Sequence, residues 1–188
     1  MRLVIIPRGA GTPADDFYPW LVRTVNADHA DVFESIDVVD MPLPHEPELG
    51  LWIAATRIAI GDAQQAARTV IAGHSVGFQA VMRALAELED DVTVAAAVGI
   101  AAWWSIDEPW PAIRPWIDTP FDHDRTRAAA RRIECLLSTN DPFTQDHERT
   151  KHLFEDRLGA HVRVVEDARH FNVARAPEVL RTLLDVVG

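Results

Sequence analysis

The pentapeptide Gly73-His74-Ser75-Val76-Gly77 matches the G-x-S-x-G pattern, in which the serine can act as a nucleophile. An apolar, β-branched run, Thr69–Ala72, precedes it, and a helical pattern begins at Val76. On so sharp a strand-to-helix turn the serine stands clear of the sheet, and the two glycines remove Cβ atoms where strand and helix crowd each other. The helix N-terminus places the amide of Val76 where the oxyanion of an attacked carbonyl would form. The alternative is an ordinary turn whose serine caps the helix, but the flanking elements favour a nucleophile.

A nucleophilic serine needs a base, and the base needs an acid that orients it. Two residues follow later apolar runs in the chain order serine, acid, histidine. Asp141 comes after Ile133–Leu137, and His170 comes after Val162–Val165. Because the carboxyl ends of parallel strands share one edge of a sheet, we expect both side chains to lie near Ser75. Taken alone, either residue also fits an ordinary turn or surface loop.

The remaining histidines and acids are less well placed for these roles. His74 neighbours the serine, but we expect the tight turn to direct its side chain away from that of Ser75. The other histidines fall in a helical pattern, before the last strand, or in loops that no strand positions: His29, His45, His123, His147, His152 and His161. Three acids of an irregular segment stay open as the orienting acid, ranked below Asp141: Asp118, Asp122 and Asp124.

A second oxyanion donor is expected from the loop after the first strand, residues 7–11. Glycines in this loop let the backbone approach a bound carbonyl closely. The amide of Gly9 is the first candidate and that of Ala10 the second. The alternative is a flexible turn with no catalytic part.

Short apolar runs alternate with helical patterns along the whole chain. The runs predict six strands: Leu3–Ile6, Ile36–Val39, Thr69–Ala72, Val94–Ala101, Ile133–Leu137 and Val162–Val165. The helices are expected at Pro19–Ala27, Leu49–Ile60, Val76–Leu88 and Pro142–Leu158, with a last one from Pro177 and a capping box at Asp62–Gln65. This alternation predicts an α/β fold, a three-layer sandwich around a mainly parallel six-stranded sheet.

The composition limits the kind of protein. The chain has 188 residues, 48% of them hydrophobic, and 18 Lys and Arg against 29 Asp and Glu give a net charge of −11. Length and apolar content suit one domain over residues 1–188. The acidic balance disfavours nucleic-acid binding, which needs a basic surface. No run approaches the roughly 20 apolar residues of a membrane helix, and the N-terminus shows no secretory pattern.

The cysteine count and the glycine spacing bear on compartment and cofactors. Cys135, the only cysteine, excludes an internal disulfide and a cysteine-rich zinc site and fits the reducing cytoplasm. Lys151 is the only lysine among the basic residues, which favours a bacterial source with a GC-rich genome. The run Gly9-Ala10-Gly11 lacks the remaining glycine of a dinucleotide fingerprint. No acid or histidine cluster has metal-ligand spacing, so we expect neither cofactor nor metal.

With these motifs placed, the chain resembles the α/β-hydrolases, and more narrowly the small serine hydrolases of the retinoblastoma-binding protein 9 and YdeN family. The shared pieces extend over nearly the whole length: the Pro-Gly-rich first loop, Tyr18-Pro-Trp-Leu21, Met41-Pro42, Gly73–Gly77, Asn140-Asp-Pro-Phe143 and His170-Phe-Asn172. The resemblance implies a fold without a cap domain and a triad of Ser75, Asp141 and His170. Arg8 departs from the family, whose loop usually has glycine at this position. The departure bears on the details of the oxyanion hole and not on the triad.

The segment 103–121 follows the fourth strand and is unusually aromatic. It holds four of the six tryptophans, interleaved with prolines: Trp103, Trp104, Trp110 and Trp116. We expect Trp104 and Trp110 to line a pocket for an apolar acyl or aryl group, since rigid aromatic rings give large contact area at small entropy cost. The alternative, of equal weight, is that the rings cover the edge of the sheet where larger relatives insert a lid.

The sequence thus predicts a serine hydrolase that acts on a small ester-like carboxylic substrate through an acyl-enzyme. An acyl transferase with the same triad remains an alternative, and so does a non-catalytic protein-binding module on the same fold. A small molecule is the expected partner, while a homodimer or a protein partner at the aromatic segment stays open.

Overall fold

The computed structural model of the chain describes residues 1–188. One sheet contains six strands: β1 (Arg2–Ile6), β2 (Ser35–Val38), β3 (Thr69–His74), β4 (Ala96–Ile100), β5 (Ile133–Ser138) and β6 (His161–Val165). Their order is β2-β1-β3-β4-β5-β6, and every neighbouring pair is parallel. The predicted α/β fold with a parallel six-stranded sheet is therefore confirmed.

Helices cover both faces of this sheet. They are α1 (Tyr18–Asp28), α2 (Leu49–Ile60), α3 (Ala63–Ala66), α4 (Val76–Ala86), α5 (Arg114–Asp118), α6 (His123–Ala128), α7 (His147–Leu158) and α8 (Pro177–Asp185). One apolar core joins the sheet to α2, α4 and α7, and a second joins it to α1 and α8. Every residue of β3 and β4 is buried, which is why these strands read as continuous apolar runs.

Most predicted element boundaries agree with the structure within a few residues, and the exceptions have local causes. The helix predicted from Pro142 begins only at His147, because the Asp146 side chain accepts the Arg149 amide as its N-cap. The fourth strand is shorter than predicted, since Val94 forms only an isolated bridge. The capping box at Asp62 is present and opens α3.

Two short helices, α5 and α6, occupy a region that the sequence suggested was irregular. Helices of five or six residues carry too little periodicity to be recognised in a sequence. Asp122, considered above as an orienting acid, instead accepts the Arg125 amide and caps α6. None of the helices has the length and apolar character needed to cross a membrane.

Candidate active site

Ser75 lies on the turn between the last residue of β3 and the first residue of α4. Its backbone has φ 57° and ψ −123°, a conformation that residues other than glycine rarely adopt. The Ser75 amide donates to the carbonyl of Ile100 at the end of β4, at 2.8 Å. Such strain persists only where the surrounding structure enforces it, and it is concentrated at functional sites. The turn thus presents a serine side chain at the carboxyl edge of the sheet.

The two glycines of the pentapeptide allow this turn because the backbone passes close to them. A Cβ on Gly73 would lie 2.4 Å from the Cα of Phe78, and one on Gly77 would lie 2.4 Å from the carbonyl oxygen of Ile6. Both obstacles are backbone atoms, so neither can move aside without moving the main chain. The G-x-S-x-G spacing is therefore a steric requirement of joining β3 to α4 beside β1.

His170 and Asp141 form a buried pair in the loops after β6 and β5. His170 Nδ1 lies 2.8 Å from Asp141 Oδ2, and both residues are 5% exposed. The other carboxylate oxygen of Asp141 accepts the Phe143 amide at 2.9 Å, which fixes the carboxylate. Since Asp141 is an acceptor, the proton of the neutral imidazole is on Nδ1 and Nε2 is free to act as a base.

The cavity beside this pair has a volume of about 210 Å³ and is lined by both Ser75 and His170. Its apolar wall includes Val76, Ile106, Trp110, Ile113 and Phe143. His45, Asn172 and Arg8 contribute polar groups to the same cavity. The structure thus brings the predicted nucleophile and base to one small, half-apolar space.

Trp103 is a site residue that the sequence reasoning missed. Its indole Nε1–H donates to Ser75 Oγ at 3.3 Å, and this is the hydrogen bond that the serine hydroxyl makes in the structure. The Trp103 carbonyl accepts the side-chain amide of Gln79 at 2.6 Å, which anchors the residue to α4. A hydroxyl can accept from an indole and still donate its own proton, so this contact leaves the Ser75 proton available.

The amides of the first loop differ in whether they are free to bind a substrate. The Gly9 amide donates to no acceptor in the protein, and Gly9 lines the cavity. The Ala10 amide already donates to the carbonyl of Pro44 at 2.5 Å. The Val76 amide belongs to the first turn of α4, where no intrahelical acceptor is available. Of the two loop candidates, Gly9 is therefore the better placed, together with Val76.

The Arg8 guanidinium is held by the Asp16 carboxylate and by the Gly9 carbonyl, to which it donates at 2.9 Å. Its Nε lies 2.6 Å from Asp16 Oδ2, and Asn172 also donates to the carboxylate of Asp16. The positive charge is thus balanced beside the cavity, and the guanidinium binds the carbonyl of Gly9 while the Gly9 amide keeps no acceptor in the protein.

The predicted pocket residues Trp110 and Trp104 lie in different places. Trp110 lines the cavity and its ring lies 5.9 Å from that of Phe143. Trp104 does not line it and packs instead between Phe121 and Phe154 of the core. Of the two predicted pocket residues, Trp110 is therefore the one that lines the cavity shared by Ser75 and His170.

The alternative acids and the cysteine do not contact this site. Neither Asp118 nor Asp124 makes a hydrogen bond to His170. Cys135 is fully buried in β5, and burial raises the pKa of its thiol. The structure contains no group of three His, Cys, Asp or Glu side chains arranged to hold a metal ion.

A parallel six-stranded sheet with a serine on a strained turn after its third strand, and an acid–histidine pair after the last two, defines an α/β-hydrolase. The chain belongs to the serine hydrolase family, whose model matches residues 4–183. No curated protein matches the chain.

Solved structures share this fold at low sequence identity. The ydeN gene product of B. subtilis superposes with a TM-score of 0.82 at 20% identity, over 98% of this chain and 97% of that one. Est1E from Butyrivibrio proteoclasticus, with ferulic acid bound, has a TM-score of 0.66 at 14% identity, over 100% and 86%. A carboxylesterase of Nitrososphaera gargenis has 0.68 at 12% identity, over 98% and 88%.

Proposed function

We propose that this serine hydrolase cleaves small carboxylic esters, with Ser75 as nucleophile, His170 as base and Asp141 as the acid that orients it. The observation that carries the proposal is the buried 2.8 Å contact between His170 and Asp141, beside a cavity that Ser75 also lines. A histidine held at Nδ1 by a carboxylate presents Nε2 as a base, which is the requirement for activating a serine hydroxyl.

The reaction would proceed through an acyl-enzyme. His170 Nε2 removes the proton of Ser75 while Oγ attacks the ester carbonyl, and the amides of Gly9 and Val76 donate to the oxyanion. The tetrahedral intermediate collapses, and His170 returns the proton to the departing alcohol. Water, activated by the same histidine, then hydrolyses the acyl-enzyme and frees the acid.

The dimensions of the cavity favour a small acyl or aryl group. About 210 Å³ is below the range of roughly 300–1,000 Å³ that is typical for drug-sized ligands. Trp110 and Phe143 offer flat apolar surfaces, while His45 and Asn172 offer polar contacts. The ferulic acid bound to Est1E, an aryl carboxylic acid on the same fold, supports an ester of this class.

Removal of the nucleophile tests the proposal directly. Ser75→Ala is expected to lose labelling by a fluorophosphonate and turnover of p-nitrophenyl acetate, because Ser75 carries the only hydroxyl or thiol that lines the cavity. Ser105→Ala is the matched control, since Ser105 is exposed on the aromatic segment and should leave both activities unchanged. Equal labelling of the Ser75→Ala variant and wild type would refute the proposal, and transfer of the acyl group to an added alcohol would identify a transferase instead.

The orienting role of Asp141 has its own test. Asp141→Asn keeps the shape but replaces an acceptor by an amide that favours the wrong tautomer of His170, so kcat should fall by roughly 10³–10⁴-fold. Steady-state kinetics on p-nitrophenyl acetate measures this, with thermal unfolding as the check that the variant is folded. A loss of less than tenfold would assign the orienting role to another group.

A further inference from the structure

A chain of buried hydrogen bonds runs behind Ser75 and joins the first loop to the histidine loop. The Arg8 amide donates to Tyr18 Oη at 3.1 Å, Tyr18 Oη lies 2.7 Å from His74 Nδ1, and His74 Nε2 lies 2.9 Å from the carbonyl oxygen of His170. Tyr18 and His74 are both fully buried. The chain thus connects the residue before Gly9 with the backbone of the proposed base.

The chemistry of the partners determines where each proton lies. The carbonyl of His170 can only accept, so Nε2 of His74 must carry a hydrogen. Burial, and next the neighbouring His170, lower the pKa of His74 well below its usual value, so its ring is neutral and Nδ1 is a bare acceptor. Burial also raises the pKa of Tyr18, which keeps its hydroxyl protonated and able to donate to Nδ1. Every donor in the chain therefore faces an acceptor.

The loop around His170 has a strained backbone that needs support from outside contacts, and the hydrogen-bond chain supplies one. Arg169 and Phe171 have φ values of 50° and 56°, so the base is flanked on both sides by left-handed residues that are not glycine. Such a loop keeps its conformation only if contacts from outside enforce it. The hydrogen bond from His74 to the His170 carbonyl is one of these contacts, and it acts on the residue between the two strained positions.

We propose that Tyr18 and His74 are positioning residues, which hold the Gly9 loop and the His170 loop in one geometry so that the oxyanion donor and the base act on the same carbonyl. The inference rests on the function proposed above. Neither side chain touches the substrate cavity, so both act through residues that do. The fixed geometry matters because displacement of a reacting group by about 1 Å can cost about 100-fold in rate.

Tyr18→Phe is the most conservative test, because it removes one hydroxyl and keeps the buried ring. We expect kcat for p-nitrophenyl acetate to fall about tenfold, with KM changed by less than about twofold, since the cavity itself is untouched. The rate of fluorophosphonate labelling should fall in parallel. Phe17→Leu is the matched control: Phe17 is equally buried and its ring contacts both Tyr18 and His74, but it lies outside the hydrogen-bond chain.

Kinetics measured well below the unfolding temperatures separate positioning from packing. The proposal expects Phe17→Leu to lower the unfolding temperature while kcat stays near wild type. Equal kcat for Tyr18→Phe and wild type, or equal losses in both variants, would overturn it. If Tyr18→Phe keeps the wild-type kcat while Ser75→Ala is inactive, the positioning role fails and the proposed function stands; if Ser75→Ala is itself active, both fail.

The protonation pattern is tested independently of activity. Long-range ¹H–¹⁵N spectra of the wild-type protein at pH 7 should show His74 neutral, with hydrogen on Nε2 and a bare Nδ1. In Tyr18→Phe the ¹⁵N shift of Nδ1 should move as its hydrogen-bond donor is lost. A cationic His74, or a hydrogen on its Nδ1, would contradict the proposed direction of these hydrogen bonds.

Discussion

Ser75 and His74 are adjacent in sequence, yet their side chains enter different environments. The left-handed backbone at Ser75 presents its hydroxyl to the cavity, while His74 is the last residue of β3 and its ring is buried between Tyr18 and the His170 backbone. At the scale of single residues, the hydrogen-bond partner of each polar group decides whether that group is available to a substrate. The Ala10 amide is occupied by Pro44, whereas that of Gly9 is free.

The buried neutral state of His74 predicts a loss of stability in acid. Its folded-state pKa is well below the value of 6.5 expected for an unfolded chain, so below about pH 6.5 the unfolded state binds more protons. The free energy of unfolding should therefore fall as pH decreases, by up to about 1.4 kcal/mol per pH unit from this residue. Urea unfolding between pH 7 and pH 5 measures the slope.

Substitution assigns this slope to the residue. His74→Gln cannot titrate in this range and should give a flatter dependence of the unfolding free energy on pH. His152→Gln, at an exposed helix position, should keep the wild-type slope. If the slopes of wild type and His74→Gln agree, His74 is charged in the folded protein or its proton uptake is not what destabilises the chain.

At the scale of elements, α4 connects the nucleophile turn to the aromatic segment. Arg83 of α4 is buried and donates to the carbonyls of Trp116 and Thr119, at 2.5 and 2.9 Å. Trp116 in turn donates to the carbonyl of Pro47 at 2.9 Å. The segment 103–121 is thus held against the body of the fold and contributes to two places at once. Trp110 reaches the cavity, and the partly buried Trp104 packs against the core beside Phe154 of α7.

This division predicts different outcomes for the two tryptophans. Trp110→Ala should change the preference among p-nitrophenyl esters of increasing acyl length, because it removes part of the cavity wall, with little effect on stability since the ring is 42% exposed. Trp104→Ala should lower the free energy of unfolding by about 2–3 kcal/mol and leave the preference unchanged. An altered preference in Trp104→Ala alone would reverse the two roles.

At the scale of the whole molecule, size and charge decide what can reach the site. The strands and helices extend from Arg2 to Asp185, and the cavity is lined mainly by the loops that connect them and by the aromatic segment. The net charge of −11 gives the molecule as a whole a negative long-range field. The Arg8–Asp16 pair adds no uncompensated positive charge at the cavity.

The field predicts how ionic strength acts on substrates of different charge. For an ester that carries a negative group, kcat/KM should rise about two- to fivefold between roughly 0.02 and 0.5 M salt, because salt screens the repulsion. A neutral ester of the same acyl group should change little and serves as the control. A falling kcat/KM for the anionic ester would mean that a local positive field at the cavity outweighs the net charge.

The sequence by itself determined the order of the helices and strands, because apolar periodicity is a local property. It also determined that the ends of three strands lie together, because parallel strands share their carboxyl edge. It therefore predicted that Ser75, Asp141 and His170 lie at one edge of a parallel sheet, and the structure has them there. Only the tertiary structure decided which amide of the first loop is free. The same holds for the indole of Trp103 on Ser75, the displacement of Trp104 from the cavity, and the hydrogen bonds that join Arg8, Tyr18, His74 and His170. These contacts join residues far apart in the chain, and side-chain packing across two or three elements sets them, which no local pattern records.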